Sequence, residues 1–303
     1  MKKIIIGLVL LILFSTVGCQ KEENLEEINF GVMSDVGAVP FLIAEKEGFY
    51  EEVGVDVNIT VFRSALDRDT ALQTGNLDGA MADMLTILFY KESGMDFKMT
   101  SSTYGNYRLI SSPNLTKKNF SALDSPQVGI SSNTVIDFST DLVISKLGMD
   151  DKVEKVAIPQ MPVRLEMLYE NSLDGSTLPE PLAYTAKFQG GEVIGDTEEL
   201  NLYPGIVIFS SDILDEQSQT LVKFYEGYNM AVEYLNKTDK NEFYDYLVEE
   251  LGFSENIKDS FEFPEFTKRE APDKYTFNTV YGWMLEKDLI KEKYSYLDVL
   301  YDF

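Results

Sequence analysis

The stretch Gly31–Gly48, GVMSDVGAVPFLIAEKEG, has the pattern of a strand, a small polar turn and a helix that ends at glycine. A similar stretch, GISSNTVIDFSTDLVISKLG, runs from Gly129 to Gly148. In both places a second strand and helix follow, and then the tripeptide Leu-Asp-Gly, a short strand and an acidic residue. Strands that alternate with helices predict an α/β fold with two lobes, each built on a doubly wound, mostly parallel sheet.

The spacing of the two copies supports a duplication. Gly31 and Leu77 are 46 positions apart, and Gly129 and Leu173 are 44 apart. Coincidence is the alternative, because Leu-Asp-Gly is a common tripeptide, but the element order and the spacing agree as well. Two lobes that face each other form a cleft, which is where small molecules bind.

Composition limits the function classes. The chain has 303 residues, 44% of them hydrophobic, which is enough for two lobes with real cores. A net charge of -25 repels phosphate backbones, so we expect no nucleic-acid partner. The sequence has no histidine, which removes Ser-His and Cys-His nucleophile pairs and His-ligated zinc. We therefore expect a protein that is not an enzyme and uses no cofactor or metal.

The N-terminal residues MKKIIIGLVLLILFSTVGCQ predict export. Two lysines, an apolar run over Ile4–Phe14 and small residues before Cys19 are typical of a signal peptide rather than a membrane span. The residues before Cys19 resemble the lipobox of bacterial lipoproteins, although Thr16 stands where leucine is usual. An ordinary secretory signal with an incidental cysteine is the alternative.

The predicted processing gives the chain a location. We expect a signal peptide over residues 1–18, lipidation of Cys19 and an acidic tether over 19–27. The mature chain would then be anchored to the outer face of the cell membrane by its lipid.

Two strands, Tyr107–Ser112 and Gly205–Ser211, are predicted where the chain passes between the lobes. Lobe 1 is expected to comprise residues 28–106 and 208–303, and lobe 2 residues 107–207. Plain membership of a sheet is the alternative for both strands. Beyond them, aromatic residues at three- and four-residue steps predict helices with a core-facing side.

The order of several short segments resembles one family across Ile28–Phe209. These are AEKEGFYEEVGVDV, TVFRS and TALQTGNLDGAMAD in the first copy, and MPVRLEML, SLDGSTLPEPLA and GGEVIGD in the second. They resemble the solute-binding proteins of ABC importers in the nitrate, sulfonate and thiamine-precursor group. The resemblance implies a two-lobed, type II periplasmic-binding-protein fold with two crossing strands as its hinge. It also implies a monomer that delivers a solute to a permease driven by an ATPase.

The candidate binding residues follow from the sheet architecture. Ligands of doubly wound sheets bind at the carboxyl ends of the strands, in the loops before the helices. A helix cap without a ligand role is the alternative for each serine, aspartate or asparagine in these loops. The predicted ligand-binding residues are Ser34, Asp35, Gly37, Ala38, Val39, Arg63, Ser64, Asp83 and Tyr104, with Ser132, Asn133, Thr134, Gln160, Met161 and Glu180 in the second lobe.

The charges of the side chains in the cleft are expected to determine which solute binds. Arg63 offers a planar fork to an oxyanion. Asp35, Asp83 and Glu180 are three carboxylates around the same pocket, and each must be paired or desolvated at a cost. We therefore expect a neutral or amine-bearing organic solute, such as a thiamine-precursor pyrimidine. A sulfonate- or nitrate-type anion binder and an anchored sensor without transport stay open.

Two further sets of side chains have alternative interpretations. Tyr104 and Tyr107 either stack on a flat ring of the solute or pack at the hinge. Arg164 is expected to pair with Glu166 or Glu180 and to serve structure alone.

Overall fold

The structure, a computed structural model, describes residues 26–113 and 115–301. The predicted signal peptide 1–18, the predicted lipidation site Cys19 and all but the last two residues of the predicted tether lie outside the described residues. Those last two residues, Glu26 and Glu27, begin the first strand. Within the described ranges, no helix combines the length and the apolar character that a membrane crossing requires.

Within the described residues, ten strands form two sheets of five. The strands are β1 (Glu26–Met33), β2 (Val55–Phe62), β3 (Gly79–Asp83), β4 (Phe97–Ser102), β5 (Tyr107–Ser111), β6 (Gln127–Ile130), β7 (Glu154–Ala157), β8 (Gly175–Pro179), β9 (Val193–Asp196) and β10 (Gly205–Ser210).

Helices connect and cover the strands. They are α1 (Val39–Lys46), α2 (Phe49–Glu52), α3 (Ala65–Gln73), α4 (Met84–Ser93), α5 (Lys117–Phe120), α6 (Val135–Lys146), α7 (Met161–Tyr169), α8 (Leu182–Phe188), α9 (Ser211–Glu216), α10 (Ser218–Leu235), α11 (Tyr244–Leu251), α12 (Lys274–Glu286) and α13 (Tyr296–Val299).

The two sheets have the same topology. The first has the order β2-β1-β3-β10-β4, and the second has the order β7-β6-β8-β5-β9. In each, the first strand of the repeat pairs in parallel with the next two. The fourth position is held by a strand that is antiparallel to both of its neighbours. The predicted pair of similar α/β lobes is confirmed.

The antiparallel strand of each sheet is the one that the chain enters directly after crossing between the lobes. Both β5 and β10 are full members of a single sheet. The crossings themselves are residues 103–106 and 197–204, which run side by side. The amide of Thr103 donates to the carbonyl of Gly205 at 3.1 Å, and that of Thr197 donates to the carbonyl of Tyr107 at 3.2 Å.

The aspartate of the repeated Leu-Asp-Gly has one structural task in both lobes. A carboxylate oxygen of Asp78 accepts a hydrogen bond from the amide of Asn29 at 2.7 Å. In the second lobe, Asp174 accepts from the amide of Gln127 at 2.8 Å. Each aspartate thus holds the beginning of its third strand against the first strand, where the sheet would otherwise leave an amide unpaired.

The leucine of the same tripeptide explains the glycine that marks each copy. A Cβ added at Gly31 would lie 2.7 Å from Cδ1 of Leu77, and one added at Gly129 would lie 2.6 Å from Cδ1 of Leu173. The two leucines therefore fill the space that a side chain on the first strand would need. The repeated glycine and leucine therefore form the same packing contact in both lobes.

The aromatic residues after the second crossing pack into the first lobe, as the periodicity predicts. Phe224 on α10 is fully buried. Its ring centroid lies 5.0 Å from that of Phe30, 5.9 Å from Phe41 and 5.3 Å from Tyr50. This cluster joins the C-terminal helices to the first sheet, which completes lobe 1 from two separate pieces of chain.

Candidate functional site

A cavity lies between the two lobes, at the carboxyl ends of the parallel strands. Its volume is about 40 Å³, which is room for roughly three water molecules or a small organic group. Lobe 1 and the first crossing contribute Met33, Asp35, Ala65, Arg68, Met81, Ala82, Asp83, Thr103 and Tyr104; lobe 2 contributes Tyr107, Ser131, Thr134, Val135, Ile136, Pro159, Met161, Arg164 and Pro179.

Backbone hydrogen bonds join the lobes beside this cavity. The amide of Val36 donates to the carbonyl of Glu180 at 2.9 Å, and the amide of Met161 donates to the carbonyl of Arg63 at 3.2 Å. Both donors stand at the beginning of a helical segment, where amides have no partner within the helix. The loops of one lobe therefore satisfy the helix ends of the other, which is the geometry of lobes in a closed arrangement.

Side chains also join the lobes. Nε1 of Trp283, on α12, donates to a carboxylate oxygen of Asp141, on α6, at 3.1 Å. Nζ of Lys287 lies 2.8 Å from the same oxygen. The hydroxyl of Tyr184, on α8, donates to the carbonyl of Ser260 at 2.8 Å. Trp283 is the only tryptophan of the chain, so its fluorescence reports on contact between the lobes.

Five of the predicted binding residues line the cavity: Asp35, Asp83, Tyr104, Thr134 and Met161. Tyr107, interpreted as a stacking or hinge residue, also lines it. The other predicted residues are not part of its wall; they are Ser34, Gly37, Ala38, Val39, Arg63, Ser64, Ser132, Asn133, Gln160 and Glu180.

Several of these other residues have structural partners. Ser64 is the N-cap of α3, and its hydroxyl accepts from the amide of Asp67. Nε2 of Gln160 donates to a carboxylate oxygen of the same Asp67 at 2.8 Å, which links the lobes. Glu180 forms an ion pair with Arg108 at 2.6 Å. The side chain of Arg63 is exposed at the rim.

Asp35 is a buried carboxylate in the cavity wall, with 7% of its surface exposed. One of its oxygens accepts a hydrogen bond from the amide of Gly37 at 2.9 Å, so it also caps the short helical turn that precedes α1. Burial raises the pKa of Asp35 to about 7, and the bonds from the backbone of Gly37 and Ala38 only partly offset this. Asp35 is therefore a buried hydrogen-bond acceptor in the cavity wall.

Asp83 and Arg68 form a balanced polar cluster in the same wall. Asp83 caps α4 by accepting from the amides of Leu85 and Thr86, both at 3.0 Å. Burial raises the pKa of Asp83, and the nearby charge of Arg68 opposes this. Arg68, also buried, pairs with Asp69 at 2.7 Å and donates to the hydroxyl of Thr86 at 2.9 Å. The guanidinium of Arg68 is thus neutralised by its own lobe.

Arg164 is also fully buried, but no carboxylate of the described residues neutralises its charge. Its Nη1 donates to the carbonyls of Ile158 and Pro159 at 2.8 and 3.1 Å. Among the described residues, no acceptor reaches Nε or Nη2. Burial lowers the pKa of Arg164 to about 10, because no carboxylate offsets the loss of water.

The expected pairing of Arg164 with Glu166 or Glu180 is wrong. Within the part of the chain that the structure describes, Arg164 forms no ion pair, and Glu180 is paired with Arg108 instead. Arg108 stands 72 positions before Glu180, on β5, so only the antiparallel pairing of β5 with β8 brings them together. Arg68 and Arg164 are not among the predicted binding residues. The signal in the sequence is the fourth position that they hold in the corresponding helices α3 and α7.

The structure is similar to solved binding proteins of import systems. The ligand-binding component of an ABC-type import system from Staphylococcus aureus, solved with zinc bound, has a TM-score of 0.76 at 14% identity, with 91% of this chain and 96% of that chain covered. The periplasmic aliphatic sulphonate-binding protein SsuA from Escherichia coli has a TM-score of 0.77 at 13% identity, with coverage of 91% and 92%.

A third solved structure extends the likeness. The periplasmic nitrate-binding protein NrtA from Synechocystis PCC 6803 has a TM-score of 0.64 at 15% identity, with 84% of this chain and 75% of that chain covered. At these identities the likeness establishes the fold, which is the two-lobed, type II periplasmic-binding-protein fold expected from the sequence.

The sequence itself identifies the family. The model of the NMT1-like family matches residues 21–248, so the chain belongs to that family. No curated protein matches the sequence. In residues 26–113 and 115–301, no three Asp, Glu, Cys or His side chains come together as a group that would hold a metal ion.

Proposed function

We propose that this chain is the extracytoplasmic, lipid-anchored solute-binding protein of an ABC importer. It captures a small organic solute between its lobes and delivers it to the permease, and it catalyses no reaction. The observation that carries the proposal is the cavity, whose wall comes from both lobes at the carboxyl ends of the parallel strands. Membership of the NMT1-like family and the fold shared with ligand-binding components of import systems support it.

The proposed mechanism is a shift between open and closed lobes. The first sheet with the C-terminal helices moves as one body and the second sheet with its helices as the other, about the two crossings at residues 103–106 and 197–204. A solute that contacts both walls binds the closed form better than the open form, so its binding energy shifts the population towards closure. The monomer then presents a closed surface to the permease, which the ATPase drives.

The proposed solute is an organic compound that donates hydrogen bonds. Asp35 supports an amine-bearing solute, because a buried carboxylate without an ion-pair partner among the described residues accepts best from a charged or polar N–H group. Tyr104 and Tyr107 line the same cavity and suit a flat ring, as a thiamine-precursor pyrimidine would have. We propose that Asp83, Thr134 and Met161 complete the contacts.

Arg164 favours a second candidate. A sulfonate- or nitrate-type anion would accept hydrogen bonds from Nε and Nη2 of this arginine, which have no acceptor among the described residues. The two candidates differ in which wall of the cavity supplies the dominant contact.

Solute capture is tested with the full-length chain in detergent. The panel contains pyrimidines, flavins, taurine, alkyl sulfonates, nitrate, polyamines and amino acids, and binding is read from Trp283 fluorescence and from thermal unfolding. A solute at 100 times its Kd is expected to stabilise the folded chain by about 2.7 kcal/mol. A panel in which no compound alters either signal would contradict the proposed function.

The anchor is tested separately in cells. Cys19→Ala is expected to abolish incorporation of radiolabelled palmitate into the chain, because the lipid is attached through this thiol. Gln20→Ala is the matched control and should be labelled as the wild type is. Unchanged labelling of Cys19→Ala would exclude lipidation of Cys19 and leave solute capture untouched.

A further inference from the structure

We propose that the captured solute carries two groups, an oxyanion bound by Arg164 of lobe 2 and a hydrogen-bond donor bound by Asp35 of lobe 1. This inference rests on the proposed function, since it names the class of solute that the interlobe cavity takes. Small amino acids and aminosulfonates are the simplest members of the class.

Arg164 supplies the first half of the argument. A guanidinium with no exposed surface and two N–H groups without an acceptor is expensive to bury. Its Nη1 is held by the carbonyls of Ile158 and Pro159, and Pro159 and Met161 stand beside it in the cavity wall. The guanidinium is therefore fixed next to the cavity, with donors left for a planar oxyanion.

The helix that follows β6 adds to the positive potential at the same wall. α6 has 12 residues, and its first residues, Val135 and Ile136, line the cavity together with its N-cap, Thr134. The positive end of a helix dipole favours an anion at this position. Asp137, in the same turn, is already engaged by Lys155 at 2.5 Å, so its charge is balanced within lobe 2.

The opposite wall of the cavity, formed by lobe 1, supplies a hydrogen-bond acceptor, Asp35. Arg68 and Asp69 form an ion pair, and Asp83 accepts hydrogen bonds from the amides at the beginning of α4. The charged groups of this cluster therefore have partners within lobe 1. Asp35 lines this wall and accepts from backbone amides, Gly37 among them at 2.9 Å, but no basic side chain of the described residues forms an ion pair with it. Burial holds its pKa near neutrality, which a cationic partner would lower.

A solute with both groups satisfies both walls at once. A simple anion would leave Asp35 buried without a cationic partner, and a simple amine would leave Nε and Nη2 of Arg164 without an acceptor. Because the two residues belong to different lobes, a bifunctional solute also connects the lobes directly. That connection couples recognition to closure.

The test compares probes that differ by one group. The first set is β-alanine, propionate and propylamine, and the second is taurine, ethanesulfonate and ethylamine. Calorimetric titration of the full-length chain in detergent gives the affinity of each. In at least one set, the bifunctional probe is expected to bind at least about tenfold more tightly than either monofunctional probe.

Variants assign the effect to Arg164. Arg164→Met is expected to weaken binding of the bifunctional probe at least about tenfold, to the level of the matching amine, and Arg164→Lys should restore part of the loss. Lys146→Met removes a charge at the exposed end of α6, outside the cavity wall, and should bind as the wild type does. Thermal unfolding of each variant without solute shows that the loss does not come from misfolding.

Each outcome separates the inference from the proposed function. Monofunctional probes that bind as tightly as their bifunctional partners in both sets would overturn the inference, as would unchanged binding by Arg164→Met. So would a bound compound from the wider panel that lacks either group. In all three cases solute capture stands. Binding of no compound from either panel would overturn the proposed function itself.

Discussion

The two lobes share one architecture but treat a buried arginine differently. Arg68 and Arg164 each occupy the fourth position of a corresponding helix, α3 in lobe 1 and α7 in lobe 2, and each lines the cavity. Arg68 is paired with Asp69, which directly follows it, whereas Leu165 stands at the corresponding place after Arg164. The charge of Arg68 is neutralised by Asp69, whereas no carboxylate of the described residues neutralises the charge of Arg164.

This difference separates the parts of the molecule that build the sheets from the parts that face the solute. The Leu-Asp-Gly contacts are the same in both lobes to within about 0.1 Å. The polar side chains of the cavity are not repeated: Asp35 and the Arg68 cluster line one wall, and Arg164 lines the other. An asymmetric pair of walls suits an asymmetric solute.

The largest expected effect contrasts the two arginines in the absence of solute. Arg68→Met removes the countercharge of Asp69 and Asp83, so it should lower the free energy of unfolding by about 3–5 kcal/mol. Arg164→Met removes a buried charge that has no ionic partner and should change it by less than about 1.5 kcal/mol. Urea unfolding of both variants measures this. Equal losses would mean that Arg164 is as structural as Arg68.

The next effect tests the likeness of the lobes. Leu77→Ala and Leu173→Ala each leave a cavity beside the glycine of the first strand, and each should destabilise the chain by about 2–5 kcal/mol. The two losses are expected to agree within about 1 kcal/mol, because the packing is the same. Thermal and urea unfolding measure them. A loss confined to one lobe would break the equivalence of the two copies.

A smaller effect depends on pH and belongs to lobe 1. Burial raises the pKa of Asp35 from 3.8 to about 7, so between these values the folded chain binds more protons than the unfolded chain. Stability therefore falls as the pH rises from about 4 to about 7. Asp35→Asn keeps the acceptor for Gly37 and removes this loss, which should stabilise the chain on the order of 1–3 kcal/mol at about pH 8 and far less at about pH 4.

The control for Asp35→Asn is an exposed aspartate of lobe 2. Asp124→Asn makes the same chemical change at the surface and should alter the free energy of unfolding by less than about 0.5 kcal/mol at either pH. Urea unfolding at the two pH values compares the variants. A pH-independent effect of Asp35→Asn would contradict the role given to its burial.

The smallest expected effect concerns the contact between the lobes. Asp141→Asn weakens its ion pairs with Lys287 and Lys155, and such partly exposed pairs contribute about 0–1 kcal/mol. The free energy of unfolding should therefore change little, but Trp283 fluorescence should shift as the lobes separate more readily. An unchanged spectrum under all conditions would mean that this contact does not report on closure.

Most of the fold could be predicted from the sequence because its signals are local. The sequence pattern predicts strands over Val55–Phe62 and Phe97–Ser102 and helices over Met84–Ser93 and Lys274–Glu286. β2, β4, α4 and α12 have these bounds to the residue. β1 begins at Glu26, within the predicted tether, because Glu26 and Glu27 extend its pairing with β2. A polar strand edge does not differ from a tether in composition, so this bound was not visible.

The candidate site was predictable only in part. The rule that ligands bind at the ends of strands identified Asp35, Asp83 and Thr134, which line the cavity. It missed Arg68 and Arg164, which reach the cavity from within helices. Whether a charge is cancelled depends on contacts between distant segments, such as that of Arg108 with Glu180, and these follow from topology rather than from spacing.

The central claim is that lobe 2 leaves its buried arginine for the solute while lobe 1 does not. The most direct measurement is NMR of the Nε–H groups of the five arginines, labelled with ¹⁵N and assigned by single substitutions, during titration with the tightest-binding bifunctional probe. The account predicts a large shift of the Arg164 signal that saturates with binding, and an Arg68 signal that hardly moves. A saturating shift of Arg68 with Arg164 unchanged would contradict it.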